Sequence, residues 1–354
     1  MKAAVYYGPR DIRADTVPDP LITEPHEILV KVRATSICGS DLHIWRGGLD
    51  SLMERGKSRL GHELSGEVVE VGSAVGNLRP GDRVTMAYSV SCGECYQCRM
   101  GNTAHCETSK AAVYGFGKAF GDLNGTQAEY LVIPFADAHT LKVDSGLSDA
   151  QALTLSCNLP TAVLANRLAN IQPGDTVAVV GLGPTGLMSL ELASRRGPGH
   201  IFGFDPVDHR RAFAAERFKV ETLAPDEEGI QRVKSATQGR GVDRVIEMVG
   251  TPESLALALQ IVRAGGTIAA LGVFTATEFN LNLADVFFRD ITLHMHGFAS
   301  VYPLMWDAQR LILEGVVNPE PLFTHRFTLD QVGEAYTVFG DKLDGVLKVL
   351  IQPE

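Results

Sequence analysis

Four of the chain's six cysteines fall in one short run, "SCGECYQCRMGNTAHC", at Cys92, Cys95, Cys98 and Cys106. A Cys-x2-Cys-x2-Cys-x7-Cys loop can close four thiolates around a single ion. Four sulfurs in a tetrahedron suit zinc, and a closed shell leaves no place for a substrate, so such a site is structural. The rival is an iron–sulfur cluster, because bacterial ferredoxin spacing also starts Cys-x2-Cys-x2-Cys. That pattern closes with x3 and a proline, whereas Cys106 comes after a longer gap and is followed by Glu107. The other two cysteines stand apart. Cys38 opens "CGSDLH", further along "GHE" supplies His62 and Glu63, and Cys157 lies in "LSCNLPT". A catalytic zinc takes three protein ligands and keeps one position open. Cys38, His62 and Cys157 are suitable donors, but their spacing alone does not join them.

A second chemistry is written in "GLGPTG", which spans Gly181, Leu182, Gly183, Pro184, Thr185 and Gly186 at G-x-G-x-x-G spacing. The hexapeptide directly follows the apolar run "DTVAVV" and opens a helical pattern, the context in which it reads as a dinucleotide site. Glycines there permit a tight turn and close approach of a pyrophosphate to a helix N-terminus. Asp205 ends the next strand-like run, "HIFGFD", where the acidic residue of such a site is expected. A carboxylate at that position can accept from the adenosine ribose hydroxyls and would repel a 2′-phosphate, so NAD is favoured over NADP. Arg210 and Arg211 close by are the features that could tolerate that phosphate.

These residues need two kinds of scaffold. Up to about residue 155 the chain reads as short strands broken by Gly and Pro, with "EILVKVRATSIC" and "SGEVVEVGSAVGNLRPGDRVTMA" alternating apolar and polar positions. From about residue 175 the pattern becomes strand–helix–strand, through "HIFGFD", "VDRVIEMVG", "PESLALALQIVRAGG" and "TIAALGVF". That alternation predicts a parallel sheet with helices on both faces. After about residue 292 it turns irregular again, with a helix expected in "MWDAQRLILEG" and a strand in "GVLKVLI". The expected architecture is α/β: a β-rich domain over 1–155 that carries the 92–106 loop, a doubly wound domain over 156–291, and a return to the first domain over 292–354. The net charge of −10 and the absence of any Lys/Arg-rich run speak against nucleic-acid binding. No apolar run reaches the roughly 20 residues of a membrane helix, and "MKAAVYYGPRDIRAD" has no signal-peptide core. The expectation is a soluble cytoplasmic protein, where thiols stay reduced and clustered cysteines bind metal.

Together "CGSDLH", "GHELSGEVVEVG", "PGDRV", "CGECYQCRMGNTAHC", "PGDTVAVVGLGPTGL" and "IFGFD" resemble, in order and spacing, the zinc-dependent medium-chain alcohol dehydrogenase family. The resemblance runs through essentially the whole chain. It implies a GroES-like β-barrel catalytic domain and a Rossmann NAD-binding domain with the active site in the cleft between them. It also implies two zinc ions, one catalytic at Cys38, His62 and Cys157 and one structural at the four-cysteine loop. By the same resemblance Glu63 is a carboxylate that can transiently reach the metal, and Asp41 orients the His62 ring. Ser40 takes the alcohol proton and passes it toward His43 at the solvent side. Thr161 and Thr185 flank the nicotinamide, Arg210 lies near the adenosine ribose, and Val249 and Leu271 line the cofactor cleft. Gly39 stands where some relatives place a pyrophosphate-binding arginine, which leaves that work to Lys348 or backbone amides. His105, His294, His296 and His325 match no family ligand.

The implied activity is hydride transfer between a primary or secondary alcohol and NAD by a homo-oligomer. The alternatives are a polyol or threonine-type dehydrogenase of the same superfamily and, from another class, a redox-silent NAD-binding regulatory protein. The joint presence of Cys38, Ser40, His43, His62 and Cys157 argues against the last. Trp45, Leu49, Phe116, Phe274 and Phe298 are the expected apolar pocket residues.

Overall fold

The alternating run predicted as a strand forms Ile28–Ser36, which buries Val30, Val32 and Ala34 and exposes Lys31 and Arg33 between them. It is the hub of a seven-stranded sheet in the computed structural model, which describes residues 1–353. Strands Phe323–Thr328, Lys348–Gln352, Ile28–Ser36, Leu64–Val71, Arg83–Met86 and Thr140–Lys142 lie side by side, and Tyr130–Ile133 also pairs with Ile28–Ser36. Two of these, Phe323–Thr328 and Lys348–Gln352, come from the C-terminal segment, which thereby completes the first domain. The register Leu350↔Ser36 and Ile351↔Thr35 fixes the join. This unit comprises residues 1–160 together with those from 300 onward. Its apolar cores include one around Trp45, Tyr6, Tyr336 and Phe339 and one around Ile28, Val30, Met86 and Tyr114.

The second unit, residues 161–299, is built on a six-stranded parallel sheet. The strands lie in the order Glu221–Leu223, His200–Phe204, Thr176–Val180, Val242–Glu247, Val262–Ala270 and Thr292–Met295. Numbered along the chain this order is 3-2-1-4-5-6, and the strand order reverses beside Thr176–Val180, the place where such folds bind dinucleotides. Thr176–Val180 is apolar and buried beyond its first residue because helices cover both faces. The sequence reading ended this domain at residue 291, but Thr292–Met295 pairs in parallel with Val262–Ala270 and extends the sheet. So short a strand has no period to show. No helix among the described residues is long and apolar enough to cross a membrane.

Candidate active site and metal centres

Three chain segments converge in the first unit to make a donor cluster. The strand Ile28–Ser36 delivers Cys38 just past its end, and Leu64–Val71 begins directly after His62 and Glu63. Cys157 sits between the helices Asp149–Thr154 and Asn158–Ala169. One donor atom from each of Cys38, His62, Glu63 and Cys157 lies within 4.8 Å of the others. The three residues that spacing left unjoined therefore meet. Asp41 braces two of them: Oδ1 stands 3.0 Å from His62 Nδ1, and Oδ2 accepts from the Cys38 amide at 2.8 Å. With Nδ1–H held by a carboxylate, Nε2 is left with a lone pair for a metal. Asn158 Nδ2 points at Cys38 Sγ from 3.6 Å, a contact that the sequence reading missed although Asn158 adjoins Cys157.

The donor set has the properties of a cation site. A hydrogen bond from Cys157 holds the Cys38 thiol well below the usual range although burial opposes it. The same bond, with burial, pushes Cys157 well up. A metal ion bound by both sulfurs would displace the remaining thiol proton. Burial raises the Glu63 carboxyl to about 7 despite the neighbouring Lys348 ammonium, and a cation among these donors would pull it back toward ionisation. The residues present fit zinc.

Ser40 and His43 stand on the short helix Asp41–Trp45 and its cap. Ser40 Oγ is 3.4 Å from His62 Nε2. His43 is half-buried, and burial, with Arg46 nearby, depresses its pKa. The rings of Phe116 and Tyr88 stand edge-on to the His62 ring, with centroids 5.5 and 6.1 Å away. Trp45, expected in a pocket, is instead buried in the core, stacked on Tyr336 with centroids 6.5 Å apart. Lys348 is likewise not where the resemblance put it. It is fully buried and holds Glu63 Oε2 at 2.8 Å, so it presents no ammonium to a pyrophosphate. A lone lysine heading an apolar strand was the only signal.

The four-cysteine loop closes as its spacing predicts. The Sγ atoms of Cys92, Cys95, Cys98 and Cys106 lie within 4.8 Å of one another, and those of Cys95 and Cys106 are 4.0 Å apart. Sulfurs about 2.3 Å from a tetrahedral zinc stand roughly 3.8 Å apart, so this set also fits. The amides of Cys95, Glu107 and Ser109 point at the sulfurs of Cys92, Cys95 and Cys106 from 3.4 Å, which stabilises thiolates. His105, His294, His296 and His325 belong to neither donor group.

In the second unit Gly181 turns the chain at φ +92° after Thr176–Val180, and the helix Pro184–Ser194 begins at once. Gly183 is the N-cap of that helix and makes no side-chain cap hydrogen bond, and Pro184 opens the first turn, the positive end of a helix where an anion is favoured. Gly186 packs so closely that a Cβ there would lie 1.8 Å from the Gly181 carbonyl oxygen. Asp205 is buried at the end of His200–Phe204, and its carboxylate accepts from the amides of Leu182 at 2.9 Å and Val207 at 2.8 Å. It therefore also ties the glycine turn to the neighbouring strand. Arg210 lies 3.8 Å from Asp205, beside Gly183. Leu271 is buried and Val249 exposed, while Thr161 and Thr185 are half-buried. Glu247, unnoticed in the sequence, is buried at the end of Val242–Glu247 and accepts from the amides of Val249 at 2.7 Å and Gly250 at 2.8 Å.

Comparison with known proteins supplies the class. The family described as Alcohol dehydrogenase GroES-like domain matches residues 24–143, and that described as Zinc-binding dehydrogenase matches residues 184–309. The chain is 34% identical to the structure of alcohol dehydrogenase TADH from Thermus sp. ATN1, with a TM-score of 0.92 and 100% of both chains covered. It is 31% identical to the uncharacterized zinc-type alcohol dehydrogenase-like protein AdhB of Bacillus subtilis, over 100% of both. It is also 31% identical to sorbitol dehydrogenase of Bacillus subtilis, over 100% of this chain and 97% of that one. The chain belongs to the zinc-dependent medium-chain alcohol dehydrogenase family, with its GroES-like and Rossmann-type α/β fold. It is an oxidoreductase that acts on a small molecule.

Proposed function

We propose that this protein oxidises primary or secondary alcohols to aldehydes or ketones with NAD, and runs the reverse reduction. The observation that carries this reading is the convergence of Cys38, His62, Glu63 and Cys157 to within 4.8 Å. Cys38, His62 and Cys157 would hold the catalytic zinc, and Cys92, Cys95, Cys98 and Cys106 the structural one. When bound, zinc supplies a Lewis acid that acidifies an alcohol, and the nicotinamide supplies a hydride acceptor. Asp41 keeps the His62 lone pair on Nε2. Ser40 accepts the hydroxyl proton and hands it toward His43, whose depressed pKa keeps the ring neutral and able to receive it. Phe116 and Tyr88 give the site an apolar wall that excludes water and rewards apolar substituents by about 0.8 kcal/mol per buried methylene.

The first amides of Pro184–Ser194 would bind the pyrophosphate, with Leu182 and Pro184 at the turn. Asp205 would accept from the ribose hydroxyls, with Arg210 beside it. Thr161, Thr185, Val249 and Leu271 would contact the rest of the cofactor. A second reading, polyol oxidation, is favoured by the likeness to sorbitol dehydrogenase. A steady-state panel of primary, secondary and aromatic alcohols and polyols, with NAD and NADP, separates the two. Turnover of polyols alone would support the second reading, and no turnover of any alcohol would overturn both.

The protein also acts as a homo-oligomer in the cytoplasm on this proposal. Edge strand Thr292–Met295 carries no Lys or Glu to block pairing, and Leu283, Phe287 and Phe288 beside it are 72–80% exposed. Such an edge invites a second copy. Monomers in sedimentation at micromolar concentration would refute this.

A further inference from the structure

The C-terminal strand Lys348–Gln352 does more than close the sheet. Its first side chain, Lys348, is fully buried, and the Nζ atom lies 2.8 Å from Glu63 Oε2 and 3.5 Å from the carbonyl oxygen of Ile37, the residue before Cys38. Glu63 is fully buried as well, and its Oε1 has no hydrogen-bond partner. An oxygen of this carboxylate belongs to the donor cluster with Cys38, His62 and Cys157. An ionised carboxylate buried with one oxygen unengaged is costly, so something fixes it there and something else takes up the free oxygen. The fixed half is visible: one ammonium reaches both ligand-bearing segments from the far end of the chain.

We propose that Lys348 is a positioning residue that anchors Glu63 by Oε2 and so keeps its carboxylate from closing permanently on the metal held by Cys38, His62 and Cys157. The proposal rests on the metal-dependent dehydrogenase reading above. Charge gives the physical reason. Two thiolates and Glu63 carry three negative charges against two positive on a zinc ion, and Asp41 adds another behind His62. Without the ammonium, the nearest cation for a buried carboxylate is the metal itself, and Glu63 would occupy the position that an alcohol needs. Lys348 therefore holds that position open without touching substrate.

The test uses full-length holoenzyme with zinc in the four-cysteine loop and cobalt exchanged into the other site. Wild type, Lys348→Met, Glu63→Gln and the Glu63→Gln/Lys348→Met double variant are compared. The readouts are cobalt absorption bands, the rate of metal release to dipicolinate, and kcat/KM. Lys348→Met should shift the cobalt bands as a carboxylate joins the shell, slow metal release, and lower kcat/KM by about tenfold or more. Because Lys348 acts through Glu63, the double variant should match Glu63→Gln within about threefold in release rate and kcat/KM, with the same spectrum. That comparison removes both buried charges and remains decisive where Lys348→Met alone fails to fold. Unchanged bands and release in folded Lys348→Met overturn the proposal, as does a double variant that departs from Glu63→Gln. Wild type that binds metal at the four cysteines only would overturn the dehydrogenase reading together with it.

Discussion

The glycines of the nucleotide turn should fail in two different ways when each gains a methyl group. At Gly186 a Cβ would lie 1.8 Å from the Gly181 carbonyl oxygen and 2.9 Å from its carbon, so helix and turn must separate. Both contacts are backbone, and neither can rotate away. Overpacking of this kind costs about 3 kcal/mol, the upper end of the usual range, and should lower the melting temperature by roughly 6–12 °C at about 2–4 °C per kcal/mol. At Gly183 the backbone is ordinary, φ −69° and ψ 179°, and the nearest atom to a Cβ is Arg210 Nη1 at 3.8 Å. Gly183→Ala should therefore melt within about 2 °C of wild type, because nothing in the fold resists it. The methyl group would stand at the helix N-terminus, where the pyrophosphate is expected, and weaken NADH binding by about tenfold, roughly 1.4 kcal/mol. Differential scanning fluorimetry without cofactor, paired with NADH fluorescence titration, reads the two effects separately. Gly183→Ala with wild-type NADH affinity would refute the placement of the cofactor. Gly186→Ala with an unchanged melting temperature would refute the packing argument.

Elemental analysis should find two zinc ions per chain, about one of which is lost with activity in Cys38→Ser, while Cys95→Ser should chiefly lower stability. Full turnover with both metals in Cys38→Ser would sink the ligand assignment. NAD should be preferred over NADP by at least about tenfold in kcat/KM. Asp205→Ser should erode that preference and also lower stability, since the Leu182 and Val207 amides lose their acceptor; equal use of both cofactors by wild type would contradict the assignment. Ser40→Ala should lower kcat by about 10²–10⁴-fold and His43→Gln by less, with imidazole buffers restoring part of the latter only. Losses that are equal and insensitive to buffer would exclude the relay. Burial depresses His139 to about 4, with Tyr114 Oη and the Phe135 carbonyl oxygen on its two nitrogens. A depressed histidine contributes stability that is present above pH 6.5 and lost as pH falls toward 4. Wild type should thus lose about 2 kcal/mol more than His139→Asn between pH 7 and pH 5 in urea titrations, and parallel losses would show that His139 does not drive the effect.

Where the chemistry is local, the sequence displays it. The four-cysteine loop and the glycine turn each occupy a single unbroken stretch, so spacing alone carries geometry. The parallel sheet was legible because apolar strands alternate with helices. Thr292–Met295 escaped because so short a strand has no period to read. Trp45 misled because an aromatic near a ligand motif looks the same in sequence whether it lines a pocket or packs on Tyr336. Cys38, His62 and Cys157 could be joined only through family resemblance, since long stretches of chain separate them and no periodicity connects them.

Lys348 marks the deeper reason for that limit. A metal ligand must be deprotonated and buried, and each buried charge then needs a partner whose position is set by the fold rather than by the neighbouring sequence. Here the partner arrives on the last strand, 285 residues after Glu63, delivered by the register of Leu350 on Ser36. A one-residue slip in that pairing would turn the Lys348 side chain to the other face of the sheet and leave Glu63 alone with the two thiols. On the proposal made for Lys348, the C-terminal segment is part of the metal chemistry as well as of the fold. Pairing of the last strand and assembly of a competent site should be one event, which is why the residues that make the site are spread over the whole chain.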